Sequence, residues 1–381
     1  MKRLVVLPAD PLYKYYEKGE IKERYWNPCQ FFDEVHIISL APRDIEPAKV
    51  QTLSGAARLY IHPIGRPTMW TLPCFFGRVR RLVRKIGPDL IRAHGPWHTG
   101  SLAVHTGRVL NIPAVVSVHS DRDEQRRFEP SLLLHMVRPL ERYSLSKASV
   151  VLCMSDYLHD YAGRHGATRT FTVYNKVYCD RFVARPGNRL DGPLRVLSVM
   201  RLDRAKYPEC LIEAIAPLDV HLKLIGQGEL EGSLRELVAR LGLQDRCEFV
   251  RQVPNSEIAA HYLAADVFAM ATHYEGFCIP VLEAMAAGLP IVASDTGPIP
   301  EVLAGTGCVV EKRPAAFTQA LAALAADPKL RARMGATAKL RAEQVDGMLM
   351  EQREVRLYQA LIDRRGDDLA ELLADGGRYV N

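Results

Sequence analysis

Two glutamates, Glu275 and Glu283, stand with seven residues between them in the segment EGFCIPVLE. Gly276 gives the loop after Glu275 conformational freedom. Pro280 suits the opening turn of a helix, which places Glu283 in that first turn. A carboxylate there could accept hydrogen bonds from both hydroxyls of a ribose. The backbone N–H groups from Gly276 through Phe277 and Cys278 to Ile279 would then face a diphosphate. Favourable charge at a helix start accounts for Glu283 alone, but not for the Glu-Gly-Phe loop before it. Upstream, LRVLSVMRLDRAKYPE sets Arg201 and Lys206 just past a strand and ahead of a helix. Two cations beside a helix start suit a diphosphate, although an ordinary charged loop would read the same way. Gly226 and Gly228 in KLIGQGELEGSLRELV permit a tight turn and close approach of backbone to a phosphate or ribose. The third glycine of the dinucleotide fingerprint is missing, and any strand-to-helix turn that needs glycine would look alike.

These residues require strand ends to carry them, and the sequence supplies two series. Apolar runs at 3–7, 34–40, 58–64, 89–94, 114–119 and 149–155 predict strands, with helical patterns around 75–86, 98–110 and 129–146. Near-continuous Val, Ile and Leu without strict alternation indicate a parallel sheet covered on both faces. The stretch RFVARPGNRLDGP (181–193) reads as a linker. A second series follows at 194–199, 220–226, 246–250, 266–271 and 290–295, with helices at 208–216, 229–241, 255–264 and 280–287. The expectation is an α/β chain of two doubly wound, Rossmann-like halves, spanning 1–185 and 186–345. In such halves ligands bind beyond the carboxyl ends of the strands, so a cleft between the two is the expected site. A helical tail, 346–381, would pack back on the first half. Its expected apolar stripe is Val345, Leu349, Val355, Tyr358 and Ile362, and the chain after Gly366 reads as loosely held.

Composition narrows the class. At 381 residues the chain exceeds one ordinary core, and its 48% hydrophobic and 25% charged content is ordinary for a globular protein. No apolar run approaches the roughly 20 residues of a spanning helix, and MKRLVVLPAD reads as a first strand rather than a secretion signal. The eight cysteines fall in no metal or redox spacing, so a reducing cytoplasm and no metal are expected. The net charge of +6 is too modest to imply nucleic acid, and no RNP-type or helical readout motif is visible. One feature is local: FFGRVRRLVRKIG sets Arg78, Arg80, Arg81, Arg84 and Lys85 around Phe75, Phe76, Val79, Leu82 and Val83. Such a stretch, 75–86, could lie on an anionic membrane surface at the inner face. A solvated helix face is the plainer reading.

The region HYEGFCIPVLEAMAAGLPIVASDTGPIPEVL resembles glycosyltransferase family 4, retaining enzymes of the GT-B fold. The resemblance is dense over 190–310 and patchy before it. It implies a nucleotide-diphosphate sugar as co-substrate, a uridine nucleotide ahead of a guanosine one, and no cofactor. Glu275 would face the donor sugar, Glu283 would hold the ribose, and Arg201 and Lys206 would hold the diphosphate. The GQGEL turn would lie at the nucleotide, and SDTGPIPEV, with Glu301, would follow it. His119 in VVSVHSD matches a histidine the family keeps near the donor sugar. Met200 and Cys278 replace glycines usual in the family, and neither change removes a charge. The loop after the first strand, DPLYKYYEKGEIKERYWNP, departs from the family's Gly-Gly pair. Lys14, Tyr16 and Gly19 are its candidates on the acceptor side, and its aromatic residues could stack on a sugar or other ring.

The implied reaction moves a hexose or N-acetylhexosamine to a hydroxyl acceptor, a glycan, a lipid-linked substrate or a small molecule, of which the lipid-linked one fits the basic stretch. Negative charge grows on the leaving diphosphate, which cations and a helix start would stabilise. Retention would follow a front-side route, with a Glu275 nucleophile the weaker option. Two other classes stay open: a nucleotide-sugar 2-epimerase of the same architecture, whose carboxylates do not map onto EGFCIPVLE, and a non-catalytic nucleotide-sugar-binding protein.

Overall fold

The computed structural model describes residues 1–68, 70–183, 192–364 and 366–379. Most of the expected linker, residues 184–191, lies outside them. The chain forms two compact units, one of Met1–Tyr174 with the chain from Met350, the other Asn175–Leu349.

In the first unit the aliphatic runs become β1 (Arg3–Leu7), β2 (Glu34–Ser39), β3 (Arg58–Pro63), β4 (Leu90–His94), β5 (Ala114–Val118), β6 (Val150–Cys153) and β7 (Arg169–Thr172). They pair in parallel in the order β7-β6-β5-β4-β1-β2-β3. Every residue of β4, β5 and β6 is buried, which is why these strands show no polar alternation. Their helices are α1 (Leu12–Glu17), α2 (Leu72–Ile86), α3 (His98–Leu110), α4 (Arg122–Phe128), α5 (Leu132–Met136), α6 (Arg138–Lys147) and α7 (Leu158–Arg164). On α2, Leu72, Phe75, Val79 and Val83 are buried, and the helix packs on α3. Arg78, Arg81, Arg84 and Lys85 stay exposed. A left-handed Gly87 (φ 63°) ends the helix.

The expected single helix over 129–146 is two short ones, α5 and α6, with α4 ahead of them. Asp121 caps α4 by accepting the N–H groups of Asp123 and Glu124 at 2.8 and 3.1 Å. Pro130 and Pro139 then prevent a continuous ladder, since each lacks an N–H to donate.

The second unit holds β8 (Leu194–Val199), β9 (Val220–Ile225), β10 (Cys247–Val250), β11 (Val267–Met270), β12 (Ile291–Ser294) and β13 (Cys308–Val310). All are parallel, in the order β10-β9-β8-β11-β12-β13. Helices α8 (Pro208–Ile215), α9 (Glu231–Arg240), α10 (Ile258–Leu263), α11 (Ile279–Ala286), α12 (Ile299–Leu303), α13 (Pro314–Ala326) and α14 (Pro328–Gln344) connect and cover them. Both units are therefore doubly wound and Rossmann-like, the fold expected from sequence. Of β1 to β13, the short strands β7 and β13 are the ones that the apolar pattern did not single out.

The tail differs from expectation. It breaks after α14, where Asp346 accepts the N–H groups of Cys179 and Met348, each at 2.8 Å, and α15 (Gly347–Ile362) begins. A Cβ on Gly347 would lie 2.8 Å from the Tyr178 ring, so the turn admits no larger residue. Of the expected stripe Val345 and Tyr358 are buried but Leu349 is 45% exposed, and Glu351 and Glu354 are fully buried. Glu354 pairs with the buried Arg92 of β4, and Glu351 accepts the Cys29 N–H at 2.5 Å. A helix read by its apolar spacing conceals such a face, because its buried groups are charged and need partners within the fold. The chain after Gly366 is not loose either: it forms α16 (Gly366–Gly376) and β14 (Gly377–Tyr379), which pairs antiparallel with β7.

Candidate donor site

The loops leaving the carboxyl ends of β8, β9, β11 and β12 meet within the second unit. The β8 loop is anchored to the β9 loop, since Met200 N–H donates to Ile225 and Leu202 N–H to Gln227, at 3.0 and 3.1 Å. A Cβ on Gly226 would lie 1.8 Å from the Met200 oxygen, and one on Gly228 2.1 Å from the Leu202 oxygen. The close approach that this glycine pair serves is therefore loop against loop, and its first effect is to place the segment that carries Arg201 and Lys206.

Buried hydroxyls fasten the remaining loops. Thr272 Oγ1 lies 2.9 Å from the Ala205 oxygen and 2.8 Å from that of Tyr274. Thr272 N–H donates to Ser294 at 3.0 Å, while the Ser294 and Thr296 hydroxyls donate to the Thr272 oxygen at 3.1 and 2.9 Å. His273 N–H adds a bond to Ala205, 2.8 Å. Gly297, at φ 51°, brings its α-carbon so near the Glu275 backbone that a Cβ would stand 2.9 Å from that oxygen. Of these residues the sequence offered only Ser294, at the end of the strand expected over 290–295, and Thr296 and Gly297 in SDTGPIPEV.

Lys206 Nζ lies 2.6 Å from Glu275 Oε2, both side chains largely buried at 14% and 11% exposure. Glu275 Oε1 also accepts the Gly276 N–H at 3.0 Å. The Cys278 thiol hydrogen-bonds Glu275, and burial followed by the nearby carboxylate holds its pKa well above the ordinary value. It is a proton donor here and no nucleophile. Cys278 also takes the left-handed backbone (φ 70°) that starts α11, a conformation in which glycine meets less strain. Ile279 and Pro280 follow as the first helical residues. Glu283 therefore falls in the second turn of α11, not the first, since the helix begins at Ile279. It is 8% exposed, and its Oε2 accepts the Tyr262 hydroxyl at 2.8 Å. Tyr262 was not singled out from sequence. Arg201 is 74% exposed and reaches Asp203 at 3.1 Å. The structure thus gathers Lys206, Glu275, Gly276 and Cys278 into one contact set, with Phe277 buried beside them. It pairs Glu283 elsewhere on the same helix and leaves Arg201 in solvent. A larger cavity of the unit, about 520 Å³ along β8, β9 and β10, contains none of these residues. Of its charged lining residues, Arg195 pairs with Asp266 and Lys223 with Glu248.

His119 belongs to the first unit, one residue past β5. Its ring stacks on His94 at 5.5 Å. Burial, then Arg92 and Arg122, push its pKa down to about 4, so it is neutral at physiological pH. Both histidines line a cavity of about 180 Å³ with Tyr15, Tyr25, Ser120 and Arg122. Burial raises the Tyr25 and Tyr15 hydroxyls above their ordinary pKa, and Tyr25 lies 5.7 Å from His94. Of the loop residues expected here, none lines the cavity. Lys14 pairs with Asp10 at 3.2 Å, Tyr16 is 49% exposed, and Gly19 makes a left-handed turn (φ 67°). Tyr15 of α1 and Tyr25, beyond it in the same loop, take that place.

Two doubly wound units in one chain, with cations and carboxylates at the carboxyl ends of the second sheet, define a GT-B architecture. Residues 180–341 match the family described as glycosyl transferases group 1, and residues 30–176 match a glycosyl transferase 4-like domain. A D-inositol 3-phosphate glycosyltransferase of Corynebacterium glutamicum (strain R) is 35% identical over 300 residues, 69% of this chain and 71% of that protein. A GDP-mannose-dependent alpha-(1-6)-phosphatidylinositol monomannoside mannosyltransferase of Mycolicibacterium smegmatis is 35% identical over 210 residues, 49% of this chain and 54% of that one. Among solved structures, HepE of Anabaena in complex with UDP shares the fold with a TM-score of 0.75 at 19% identity, covering 94% of this chain and 100% of its own. The chain belongs to the group 1 glycosyl transferases and is a glycosyltransferase.

Two outcomes follow from this geometry. Lys206→Met should lower the urea midpoint by leaving Glu275 partly buried and unpaired, a loss of about 3 kcal/mol. Adding Glu275→Gln should recover part of it, giving a coupling energy above about 1 kcal/mol. Additive single effects would mean the pair is not coupled. The second outcome concerns His119, whose pKa is lower folded than unfolded. Its contribution to stability is complete above about pH 6.5 and is lost as pH falls toward 4. Melting temperature across this window should therefore fall less steeply for His119→Asn than for the wild type.

Proposed function

We propose that the chain transfers a hexose or N-acetylhexosamine, with retention of anomeric configuration, from a nucleoside-diphosphate sugar to a hydroxyl acceptor. The observation that carries this reading is the Lys206–Glu275 pair, 2.6 Å long, beside the first turn of α11. A cation held at a helix start suits a diphosphate, and a carboxylate held beside it suits the hydroxyls of the attached sugar. On this reading Arg201, exposed on its loop, closes on the diphosphate when donor arrives. Lys206 then shares its charge between the leaving group and Glu275. The developing negative charge meets fixed dipoles and cations, so no metal is required of the residues present. Neutral His119 would accept or donate a hydrogen bond to the donor sugar without adding charge. Glu283 would hold the ribose.

A uridine nucleotide is proposed ahead of a guanosine one. The complex of HepE with UDP favours the first, and the name of the mycobacterial relative the second. The acceptor is proposed to be lipid-linked and presented at a cytoplasmic membrane face. Among the described residues no helix is long and apolar enough to cross a membrane. The apolar side of α2 is used inside its own unit, so contact would be electrostatic, through Arg78, Arg81, Arg84 and Lys85, with Trp70 (88% exposed) just ahead of the helix.

The donor reading is tested by a thermal-shift screen of nucleoside-diphosphate sugars. A ligand at a hundred times its dissociation constant should add about 2.7 kcal/mol of stability, and Arg201→Ala should need more ligand for the same shift. Absence of any shift, or an epimerised donor in place of acceptor-dependent release of the nucleotide, would refute it. For the membrane reading, the protein should sediment with vesicles of phosphatidylcholine and phosphatidylserine but not of phosphatidylcholine alone. Replacing Arg78, Arg81 and Arg84 with Ser should weaken binding by about a hundredfold, at about 1 kcal/mol per charge. Unchanged sedimentation of that variant would remove α2 from any membrane contact.

A further inference from the structure

Glu283 is a carboxylate with 8% exposure on a helix whose buried neighbours Val281, Leu282, Ala284, Met285 and Ala286 are all apolar. A group in that setting is costly unless hydrogen-bonded. One partner comes from another element: the Tyr262 hydroxyl of α10 donates to Oε2 at 2.8 Å. The ring is wholly buried and lies 5.8 Å from both Phe182, edge-on, and Phe268. With only two side-chain torsions and aromatic rings against it, Tyr262 has one orientation to offer.

We propose that Tyr262 is the positioning residue for nucleotide recognition, fixing the Glu283 carboxylate in the orientation that meets the ribose hydroxyls of a nucleoside diphosphate. This rests on the reading of Glu283 as the ribose acceptor. Two vicinal hydroxyls demand one plane of the carboxylate, and a glutamate free to change rotamer would have to lose that freedom on each binding event. The hydroxyl donated by Tyr262 removes the freedom beforehand. Because burial and the neighbouring carboxylate raise its pKa far above the ordinary value, the phenol keeps its proton at any working pH and acts as a donor throughout. The ring itself stays out of the ligand's way, so its effect is confined to what Glu283 touches.

A residue that only filled space would support all ligands alike; a positioning residue acts through the ribose alone. Calorimetry should therefore compare UDP or GDP, whichever binds the wild type more tightly, with its 2′,3′-dideoxy counterpart. In Tyr262→Phe the ribonucleotide should bind about tenfold more weakly, the scale of one hydrogen bond to a charged group, while the dideoxy form binds as before. If both weaken equally, or neither changes, the proposal is overturned. Glu283→Gln separates the two levels: if it keeps the wild type's preference for the ribonucleotide, the ribose reading itself fails and the proposal with it. If Glu283→Gln loses that preference but Tyr262→Phe keeps it, the proposal alone fails. Should Tyr262→Phe not fold, Tyr262→Met fills similar volume without a donor, and the same comparison applies.

Discussion

A carboxylate that is 11% exposed cannot stand without a partner, and the second unit is arranged around this need at Glu275. Lys206 meets it at 2.6 Å, but only because two loops from different strands are brought together. The β8 loop must lie flat against the β9 loop, and the β11 loop must reach back over it. Each contact depends on a residue without a side chain, or on a hydroxyl that replaces a lost backbone partner. Gly226 and Gly228 serve the first, Gly297 and the Thr272–Ser294–Thr296 group the second. The ion pair is thus the point where four strand ends are held in common. It would be expensive as an isolated pair, and the surrounding hydrogen bonds make it tolerable.

The same constraint recurs in the first unit in a different role. Arg92 is buried in β4 and paired with Glu354 of α15, while Glu351 of the same helix receives the Cys29 N–H. The helix that returns to this unit therefore holds the segment before β2 and the strand that ends in His94. Arg92 also contributes to the low pKa of His119. A structural ion pair and a buried histidine are thereby coupled by charge.

Much of the fold was legible in the sequence, because uninterrupted aliphatic runs have few explanations other than parallel strands. The helix at 98–110 and the strands at 3–7 and 194–199 match residue for residue. The tail was legible as helix but not in its buried charges. Its inward face mixes Leu357, Tyr358 and Leu361 with two glutamates, and periodicity of apolar residues cannot see Glu351 or Glu354. The candidate donor site was half visible: Arg201, Lys206 and Glu275 stand out as charges in loops after strands and Glu283 as one near a helix start, but their partners do not. Lys206 was expected on a phosphate and is found on Glu275, a pairing set by three-dimensional approach of loops about 70 residues apart. Tyr262 looked like an ordinary helical aromatic, and Tyr15 and Tyr25 were hidden among other tyrosines of a loop whose turn no spacing rule gives.

The proposed reaction requires a nucleoside diphosphate to bind where the β8 and β11 loops meet at the start of α11. Hydrogen exchange with and without a nucleoside diphosphate reads this directly, amide by amide. Slowed exchange should be confined to peptides covering 200–207 and 275–283, with strands β1–β7 unchanged. Protection absent from those two segments, or strongest along β8–β10 beside Lys223 and Glu248, would contradict it.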